Sequence, residues 1–490
     1  MVSISNLQFQ DQYRKKGKGK KKTVRGFDTE NRPTKPAEIV CSDLEGKKIT
    51  SLEQALKFLT KKEYNSTLNV FYNIDYDVRS ILKYEPDVLT DLYFNQETNF
   101  KDYTLTYIPD KVFKIKKKSG KSVKTWSYYD SFQYFQTRLE AAVKQYLNKK
   151  VSELKAKRSE LFDTYYIDTI IDYCISDCQN TKEITEFLLE GYERLDFHPD
   201  NLMSVGAISK AFCQEKSNIP KLNYLHTEFG GKESTLSVID AYYQAYRGGW
   251  FEIQKRGYFS NVWAYDIVSA YPAITKELPD IRSGRFYYID NKNDILEEDI
   301  WGTVRVKVIQ KDLNISVCPL SVEINDRLFY PYIDTEIEKW ITLREYRAFS
   351  NVYDFEIVEG WIFRPFFNKP DRPFKNIIDM LFDVKQKHKK GTAIYQASKL
   401  TMNSVYGNMI QTTEKLDGIT YTGSFFNSFY AAEITAYCRC KIWDLIKNNL
   451  DNVIMIATDG VLLDDKILDV EEDKNLGGWE IETKGEAGIF

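Results

Sequence analysis

The hydrophobic pattern of residues 24–200 predicts an α/β domain. Short apolar runs such as Val24–Asp28 and Leu68–Tyr72 alternate with stretches in which apolar residues recur every three or four positions. The first pattern is typical of buried strands and the second of amphipathic helices. The predicted helices span 51–62, 133–147 and Asp168–Leu195.

The pattern changes after Arg247-Gly248-Gly249, and the rest of the chain is predicted to mix sheet with long helices. Alternating apolar positions in 260–365 indicate strands. Further along, a Thr-Asp-Gly turn between two apolar runs indicates a β-hairpin with Asp459 at its turn. The predicted elements are strands Trp301–Ile309 and Phe355–Ile362, helices Pro373–Met409 and Phe426–Asn449, and hairpin strands Val453–Ala457 and Val461–Leu463.

The composition indicates a folded protein with room for two or three domains. Its 490 residues are 43% hydrophobic and 28% charged, which is typical of globular proteins. No apolar run approaches the roughly 20 residues that cross a bilayer, and the polar, basic N-terminus does not resemble a secretory signal. The seven cysteines lack the spacing of a zinc site or a disulfide framework. We therefore expect a cytoplasmic protein with free thiols.

The net charge of −3 argues against a protein that simply coats nucleic acid. Basic residues are nevertheless concentrated in Arg14–Lys22, Lys114–Lys124 and Lys385–Lys390. Each cluster alone is more often a solvated surface. Together they suit a protein that binds phosphates through these clusters and metal ions through acidic residues elsewhere.

One set of candidate catalytic residues lies in the C-terminal half. Asp266 lies at the end of a predicted strand, and Asp459 lies at the turn of the predicted hairpin. Transfer of a phosphoryl group to a 3′-hydroxyl uses two divalent ions about 3.5–4 Å apart, and Mg²⁺ prefers oxygen ligands and keeps several waters. Two aspartates from adjacent strand ends, together with a triphosphate, would complete such a site.

Side chains that suit a nucleoside triphosphate accompany these aspartates. Lys399 and Asn403 are four residues apart on a predicted helix, so they share one face and can reach the same phosphates. Tyr406, about a turn further on, could pack against a nascent base pair. Tyr271 could lie under the sugar, where a 2′-hydroxyl would collide with its ring.

Each of these segments also has an ordinary structural explanation. Asp266 could belong to a strand-end turn, Asp459 to a plain hairpin turn, and Lys399 with Asn403 to one polar helix face. The stretch Lys399–Gly407 is the most specific segment. Its Lys, Asn, Ser, Tyr and Gly would match by chance in roughly one chain of this length in several thousand.

A second acidic set lies in the N-terminal part. Asp28 and Glu30 are two residues apart on a predicted strand, so both carboxylates face the same side. Asp77 and Asp177, from separate segments, would complete a pocket for two metal ions and a water nucleophile. Tyr173 precedes Asp177 by four residues on a helix and could orient that water. Scattered surface acids are the ordinary alternative for any one of these segments.

In their order along the chain, these segments resemble the motifs of family B DNA polymerases. Tyr265–Pro272, Lys399–Gly407 and Ile456–Gly460 are similar to polymerase motifs A, B and C, and the upstream acidic segments are similar to exonuclease motifs I, II and III. The resemblance implies an α/β, RNase H-like exonuclease domain followed by an α+β palm and fingers domain. It also implies template-directed DNA synthesis with 3′→5′ proofreading, a DNA primer-template and dNTPs as partners, and two Mg²⁺ or Mn²⁺ ions per active site.

The resemblance further implies a role for each matched residue, and the Asn-x-x-Tyr-Asp spacing favours Asp77 over Asp75 as the motif II ligand. The polymerase metal ligands are Asp266, Asp459 and the carbonyl of Ile267, and the nucleotide contacts are Tyr271, Lys387, Lys399, Asn403 and Tyr406. The exonuclease metal ligands are Asp28, Glu30, Asp77 and Asp177, with Tyr173 as the water-positioning residue. The DNA contacts are Asn73, Tyr76, Ser131 and Phe132 for single strands, and Tyr246, Gly248 and Gly249 of a Tyr-x-Gly-Gly motif for the template.

Some positions depart from the family pattern. Ala270 replaces a leucine of motif A, Ala457 replaces the first aspartate of motif C, and Gly460 replaces a serine of motif C. The second aspartate of motif C is the metal ligand in the family, and it is retained as Asp459. We therefore expect the missing carboxylate to affect rate and metal affinity more than the reaction itself.

The spacing of the motifs favours the protein-primed branch of the family, whose members use a terminal protein. The stretch between motifs A and B has room for an insertion at about 280–365. The sequence ends at Phe490, shortly after motif C, so we expect that the thumb is absent from it, either because a separate polypeptide carries the thumb or because the sequence is a fragment. A phage or another mobile element in a host cytoplasm is the expected source. The predicted segments are a basic tail (1–23), the exonuclease domain (24–200), a connecting segment (201–250) and the polymerase domain (251–490).

Two other functions stay open at the level of sequence. The chain could be an exonuclease whose polymerase half is inactive through Ala457 and the missing thumb. It could also be a non-catalytic DNA-binding or priming partner that has kept the fold. The retained Asp266, Lys399, Asn403 and Asp459 favour an active polymerase, because a decayed site would tolerate their loss.

Overall fold

The chain forms two compact units, each built from separate stretches of sequence. The N-terminal unit consists of Lys16–Glu215 and Leu381–Ser404, and the C-terminal unit consists of Met1–Lys15, Lys216–Met380 and Val405–Phe490. The structure is a computed structural model. It describes all residues except 1–6, 10–17, 120–121, 152–153, 155–159, 223–224, 226–231, 312–313, 326, 368–369, 415–417 and 468–469.

Strands and helices are numbered in chain order. The strands are β1 (Leu7–Gln8), β2 (Val24–Glu30), β3 (Ile39–Ser42), β4 (Gly46–Lys48), β5 (Leu68–Phe71), β6 (Glu97–Phe100), β7 (Tyr103–Ile108), β8 (Val112–Ser119), β9 (Ser122–Asp130), β10 (Trp250–Ile253), β11 (Tyr258–Ile267), β12 (Gly284–Ile289), β13 (Trp301–Gln310), β14 (Val322–Ile324), β15 (Arg327–Phe329), β16 (Ile337–Thr342), β17 (Tyr353–Pro365), β18 (Thr412–Glu414), β19 (Thr420–Thr422), β20 (Val453–Thr458), β21 (Gly460–Leu463) and β22 (Trp479–Ile489). The helices are α1 (Leu52–Leu59), α2 (Ile74–Leu82), α3 (Pro86–Asn95), α4 (Leu139–Ala142), α5 (Leu161–Thr164), α6 (Ile167–Arg194), α7 (Val205–Lys216), α8 (Lys232–Ala245), α9 (Ala270–Thr275), α10 (Leu343–Ala348), α11 (Lys375–Lys387), α12 (Ala393–Ser404) and α13 (Ser428–Ile446).

The N-terminal unit is built on one sheet with the strand order β4-β3-β2-β5-β9-β8-β7-β6. Its centre is parallel, since β5 runs parallel to both β2 and β9, and every residue of β5 is buried. The long helix α6 packs against β2 at Gly26, where a Cβ atom would lie 1.9 Å from the carbonyl oxygen of Cys178. Because only glycine permits this approach, Gly26 fixes the strand and the helix that carry the acidic residues of this unit.

The C-terminal unit contains two antiparallel sheets that share one hydrophobic core. The first has the order β10-β20-β21-β11-β22 and the second the order β12-β17-β13-β16. Ile267 and Val461 of the first sheet and Val304 of the second belong to the same buried cluster, together with Trp443 of α13. The second sheet occupies the stretch at about 280–365 that the sequence predicts as an insertion.

Several predicted elements are confirmed. The helix predicted at Asp168–Leu195 is α6, the helix predicted at Phe426–Asn449 contains α13, and the hairpin around Asp459 consists of β20 and β21. The strands predicted at Trp301–Ile309 and Phe355–Ile362 lie within β13 and β17.

Two predicted helices are wrong as continuous elements. The stretch 133–147 is divided because Gln136 has a left-handed φ of 51°, and only α4 and a following π-helical turn, Val143–Leu147, are helical after it. The stretch Pro373–Met409 is divided into α11 and α12, with Gly391 at a φ of 88° between them. A left-handed residue cannot continue a right-handed helix, so both interruptions follow from backbone conformation.

Part of the predicted basic tail falls on described residues. Leu7–Gln8 form β1, which pairs with β19 in the C-terminal unit. In the N-terminal unit, Lys18 pairs with Asp196 and Lys21 with Glu193. Residues 10–17, which include part of the cluster at Arg14–Lys22, lie outside the described residues. Within the described part of the chain, no helix combines the length and the apolar composition that a membrane span requires.

Candidate active sites

The N-terminal unit brings the four predicted exonuclease carboxylates together. Asp28 and Glu30 come from β2, Asp77 from α2 and Asp177 from α6. Thr29 fixes Asp77, because its backbone N–H and its hydroxyl both donate to Asp77 Oδ1 at 2.9 and 2.8 Å. The two candidate ligands of β2 therefore lie beside the candidate ligand of α2.

Burial and mutual repulsion raise the pKa of two carboxyl groups in this cluster, those of Asp28 and Asp77. The pKa of Asp28 is raised well above its ordinary value, first by burial and then by the charges of Asp77, Glu30 and Asp177. Burial raises the pKa of Asp77 to about 7. Carboxylates that repel one another in a buried site are stabilised by a cation, and hard oxygen donors of this kind suit Mg²⁺ or Mn²⁺.

The four carboxylates of this cluster are not arranged as a closed set of metal ligands. Among the described residues, no group of three or more His, Cys, Asp and Glu side chains already has the spacing of a metal site. The four carboxylates therefore form a loose acidic cluster rather than a closed set of ligands. The donor chemistry fits a hard divalent ion, and Asp28, Glu30, Asp77 and Asp177 are the residues that would hold it.

Tyr173 lies beside Asp177, and Asp77 lies beside Thr29 of β2. Tyr173 is in hydrogen-bond contact with Asp177, and its pKa is raised by burial and by the charge of Asp177. The rival residue Asp75 has other partners, since the hydroxyl of Tyr107 and the backbone N–H of Asp110 both donate to it. Asp77 therefore belongs to the acidic cluster, whereas Asp75 bonds to residues outside it, and the ligand role of Asp77 stays a prediction.

Two of the four predicted single-strand contacts, Asn73 and Phe132, are held by a residue that the sequence pattern did not reveal. Asp130 Oδ1 accepts hydrogen bonds from the backbone N–H groups of Asn73 and Phe132, both at 2.9 Å. The Phe132 ring is 37% exposed, whereas Ser131 is buried and donates its hydroxyl to the carbonyl of Phe71 at 2.9 Å. The exposed ring could contact a nucleobase, and the buried serine supports the turn.

Tyr76 is engaged within the protein. Its hydroxyl donates at 2.6 Å to Oδ1 of Asn31, the residue directly after Glu30.

The signal that could have identified Asp130 was its position at the end of a β-rich run, directly before Ser131-Phe132. Aspartate at such a position commonly accepts bonds from nearby backbone N–H groups.

In the C-terminal unit, Asp266 and Asp459 lie on adjacent strand ends. The backbone N–H of Ile267 donates to the carbonyl of Asp459 at 2.9 Å, which ties the end of β11 to the turn of the hairpin. Burial raises the pKa of the Asp459 carboxyl, and the charge of Glu482 on β22 raises it further. Glu482 was not identified from the sequence, because its proximity arises only from the pairing of β22 with β11.

The two departures in motif C, Ala457 and Gly460, lie in one row of paired residues across the sheet, together with Asp266. Gly460 pairs with Ala457 on one side and with Asp266 on the other, and Asp266 also pairs with Glu480. Directly opposed residues of an antiparallel pair face the same side of a sheet. A Cβ atom on Gly460 would lie 3.1 Å from Asp266 Oδ1. Glycine therefore leaves the Asp266 carboxylate room, and Ala457 lies on the same face as that carboxylate.

Strained backbone flanks both aspartates. Thr458 has a φ of 63° and Ser269 a φ of 50°, both in the left-handed region. This conformation is uncommon for any residue with a side chain and is unusual for a β-branched one. The fold maintains both against this cost, directly before Asp459 and directly before α9.

Three tyrosines from separate motifs meet in the same unit. The rings of Tyr271 and Tyr406 have centroids 4.6 Å apart, and the hydroxyls of Tyr406 and Tyr246 are 2.8 Å apart. The pKa of Tyr271 is raised by burial and then by Cys438 and Asp459. The structure therefore brings the tyrosines of motif A, motif B and the Tyr-x-Gly-Gly motif to the neighbourhood of Asp459.

The two glycines of the Tyr-x-Gly-Gly motif differ in their surroundings. A Cβ atom on Gly249 would lie 2.8 Å from Thr458 Cγ2, whereas a Cβ atom on Gly248 would meet nothing within 4 Å. Gly249 is therefore required by the contact with motif C. The open space at Gly248 leaves its backbone accessible to a ligand.

The remaining predicted nucleotide contacts lie in the N-terminal unit. Lys399 and Asn403 are exposed on one face of α12, as their spacing predicts, and Lys387 is exposed at the end of α11. The opposite face of α12 packs on α6, where a Cβ on Gly191 would lie 2.1 Å from the Ala393 carbonyl oxygen. The roles of these three residues stay predictions.

We expect Ala457→Asp to lower the Mg²⁺ concentration that supports half-maximal primer extension by about three- to tenfold. The added carboxylate would face the same side of the sheet as Asp266, and each further acidic ligand strengthens the attraction for a divalent cation. Magnesium titrations of the two proteins would measure the shift, with Ala457→Asn as the uncharged control. An equal Mg²⁺ requirement in all three proteins would contradict this interpretation of Ala457.

Comparison with known proteins identifies the family. A family model described as DNA polymerase type B, organellar and viral, matches residues 60–458. The chain belongs to this family. The match contains the segments that resemble exonuclease motifs II and III and polymerase motifs A and B, and it ends at Thr458, within the segment that resembles motif C.

Curated relatives of this type B chain carry the name DNA polymerase. A probable DNA polymerase of Neurospora intermedia is 26% identical over 286 residues, which cover 49% of this chain and 29% of that protein. A probable DNA polymerase of Ascobolus immersus is 24% identical and covers 65% of this chain and 29% of its own length. A DNA polymerase of Acidianus bottle-shaped virus is 24% identical and covers 74% of this chain and 54% of its own length. The type B chain therefore spans less than a third of the two fungal relatives.

Solved structures show the fold of this chain. Phi29 DNA polymerase in an orthorhombic crystal form matches with a TM-score of 0.68 at 18% identity, covering 95% of this chain and 85% of the phi29 chain. The phi29 ternary complex with primer-template DNA and incoming nucleotides matches with a TM-score of 0.67 at 17% identity, covering 96% and 86%. The predicted fold class is confirmed: an α/β, RNase H-like exonuclease domain is followed by an α+β palm and fingers domain.

Proposed function

We propose that the chain catalyses template-directed DNA synthesis and removes nucleotides from 3′ ends at a second site. The proposed polymerase activity rests on two strand ends joined by a backbone hydrogen bond. These strand ends present Asp266 and Asp459 beside Tyr271. The acidic cluster around Asp28 supports the exonuclease half. The predicted boundaries of the exonuclease, connecting and polymerase segments are part of this proposal.

At the polymerase site, Asp266, Asp459 and the Ile267 carbonyl would hold the metal ions. Two divalent ions would lower the pKa of the primer 3′-hydroxyl and balance the charge that develops on the phosphoryl group. Tyr271 would pack under the sugar and exclude a 2′-hydroxyl, while Tyr406 holds the Tyr271 ring from the other side. For Lys387, Lys399 and Asn403 of the N-terminal unit, the family resemblance implies binding of the triphosphate.

At the exonuclease site, the four clustered carboxylates would hold the ions that activate water. Tyr173, bonded to Asp177, would orient that water toward the scissile phosphate. Phe132 would stack on a nucleobase of the frayed single strand, because its ring is exposed at the end of the sheet that carries Asp28 and Glu30. Asn73, Tyr76 and Ser131 would support or contact the same strand.

An exonuclease with an inactive polymerase half is the second candidate, and Ala457 is the observation that favours it. A single primer-extension experiment with Mg²⁺ and dNTPs separates the two functions. Extension beyond the primer supports the polymerase, and degradation without any extension supports the second candidate. A terminal protein, a separate thumb-bearing polypeptide, protein priming and a host cytoplasm stay predictions from the sequence.

We expect Gly248→Ala to weaken primer-template binding by about three- to tenfold without lowering the melting temperature. A Cβ atom at Gly248 has open space in the protein, so only a bound phosphate or sugar would be crowded by it. Fluorescence anisotropy with a labelled primer-template measures the binding, and thermal unfolding measures the stability. Unchanged binding would show that the Gly248 backbone does not approach DNA.

A further inference from the structure

An open cavity of about 810 Å³ lies in the C-terminal unit and is bordered by α10, α13 and the start of β22. Its wall contains two cations, Arg344 of α10 and Lys441 of α13, and the aromatic rings of Tyr437 and Trp479. Tyr437 and Lys441 are four residues apart on α13, so they share one face of that helix. The cavity has the volume of a small-molecule site, which is usually about 300–1,000 Å³.

The two cations of this cavity lie against aromatic rings. The Arg344 guanidinium is 5.6 Å from the centroid of the Tyr437 ring and 5.5 Å from that of the Trp301 ring. The Lys441 ammonium group is 5.9 Å from the Tyr437 centroid and 5.5 Å from the Trp479 centroid. Ring faces attract cations but do not neutralise their charge. Tyr437 therefore gathers two positive charges at one wall of the cavity.

Carboxylates do not neutralise these cations within the described part of the chain. Arg344 Nε is 3.8 Å from Glu433 Oε2, which is beyond hydrogen-bond distance, and this buried Nε has no hydrogen-bond partner among the described residues. Burial raises the pKa of Glu433 to about 8, so this carboxyl group is mainly protonated at neutral pH. Lys441 donates to the backbone carbonyl of Gly477, which carries no charge. Both cations therefore keep their capacity to bind an anion.

Two acidic residues also line the cavity, but neither neutralises the two cations. Asp444 pairs with Lys447 at 2.9 Å, and Glu471 is exposed to solvent. Surface charges of this kind are screened by water and salt, whereas Arg344 and Lys441 are partly buried. An anion in the cavity would thus meet two unneutralised cations beside an apolar wall.

We propose that the cavity bordered by α10, α13 and β22 binds a phosphate-bearing small molecule, and that Arg344 and Lys441 bind its phosphate oxygens. A guanidinium group binds phosphate through paired donors, and an ammonium group binds it as a point charge. A nucleoside polyphosphate or an inorganic polyphosphate would supply this chemistry. The cavity shares no residue with the implied triphosphate contacts Lys387, Lys399 and Asn403. The inference therefore goes beyond the proposed polymerase function and does not depend on it.

The test is isothermal titration calorimetry of the full chain with tripolyphosphate, ATP and adenosine, in EDTA and without DNA. We expect saturable binding of tripolyphosphate and ATP and no binding of adenosine, because the two cations bind phosphate oxygens. Arg344→Gln and Lys441→Gln should each weaken the binding of tripolyphosphate at least about tenfold, the size expected for losing one charge-assisted hydrogen bond. Tighter binding of ATP than of tripolyphosphate would identify a nucleotide as the ligand, and equal binding would identify the phosphate chain; both results support the site.

Arg347→Gln is the matched control on the same helix. Arg347 is exposed and donates to the backbone carbonyls of Asp299 and Leu296 rather than lining the cavity. The same substitution there should leave the affinity for tripolyphosphate unchanged. Lys399→Ala is the second control, because it alters an implied triphosphate contact of the polymerase. It should also leave this affinity unchanged, and Arg344→Gln should extend a primer within about twofold of the wild-type rate.

The outcomes separate the cavity from the polymerase site. Weaker binding of tripolyphosphate by both cavity variants, with normal binding by both controls, supports the inference. No binding by the wild-type chain, or equal binding by wild type and the folded cavity variants, overturns it. A loss in Lys399→Ala that spares the cavity variants also overturns it, since the phosphate would then occupy the polymerase site. If one cavity variant does not fold, the other decides. Binding at the cavity by a chain that does not extend primers would support the inference and contradict the proposed function.

Discussion

Asp459→Asn should reduce nucleotide addition by at least about 10³-fold, which corresponds to roughly 4 kcal/mol of transition-state stabilisation. Asp459 lies at the tip of the hairpin, and its backbone is bonded to Ile267 beside Asp266. Because Ala457 replaces the other carboxylate of motif C, the hairpin offers no second aspartate to take over a metal ion. Asparagine has nearly the same shape but lacks the charge that binds the ion.

The measurement is single-turnover extension of a labelled primer in the presence of Mg²⁺. Degradation of a labelled single strand serves as the internal control and should stay within about twofold of wild type, because its proposed residues are Asp28, Glu30, Asp77 and Asp177. Asp465→Asn, an exposed aspartate shortly after the hairpin, is the matched control substitution. Near-normal extension by Asp459→Asn would show that this residue does not hold the catalytic ion.

Asp28→Ala combined with Glu30→Ala should abolish single-strand degradation, again by at least about 10³-fold. The two carboxylates belong to a buried cluster in which burial and like charges raise the pKa of Asp28. Their removal takes away two candidate metal ligands and also relieves repulsion. The double variant should therefore be at least as stable as wild type, which separates loss of chemistry from loss of fold.

The same double variant should still extend a matched primer, and mismatched 3′ ends should persist in its products. A gel of extension products from a primer with a terminal mismatch would reveal this. Asp75→Ala is the matched control, because Asp75 bonds Tyr107 and Asp110 instead of the cluster. Degradation of a labelled single strand by the double variant at the wild-type rate would contradict the assignment of the first exonuclease motif.

Local patterns were sufficient to predict the parts of the sites that one element carries. The Asp-x-Glu spacing on a strand, the Tyr173–Asp177 spacing on a helix and the hairpin turn at Asp459 are each fixed by the period of a single element. The breaks in two predicted helices were missed because they depend on left-handed residues. Gln136 gives no sequence signal for such a conformation, whereas glycine at position 391 is itself a sign of a possible left-handed residue.

Contacts between distant elements were beyond prediction from the sequence. Glu482 raises the pKa of Asp459 only because β22 pairs with β11. Asp130 accepts a hydrogen bond from the backbone of Asn73 only because β9 lies beside β5. Arg439 resembles an ordinary charged helix residue until the fold buries it against Glu345. The motifs thus identified the residues of the chemistry, while the residues that support them depend on strand order and packing.

The most direct measurement follows one labelled primer annealed to a longer template, incubated with the wild-type chain and Mg²⁺. With all four dNTPs the primer should lengthen toward the end of the template, and without dNTPs the same primer should shorten from its 3′ end. Removal of the metal by chelation should stop both changes, because both proposed sites depend on carboxylate-bound divalent ions. A primer that shortens under both conditions, or that stays unchanged under both, would contradict the account of a polymerase with a proofreading site.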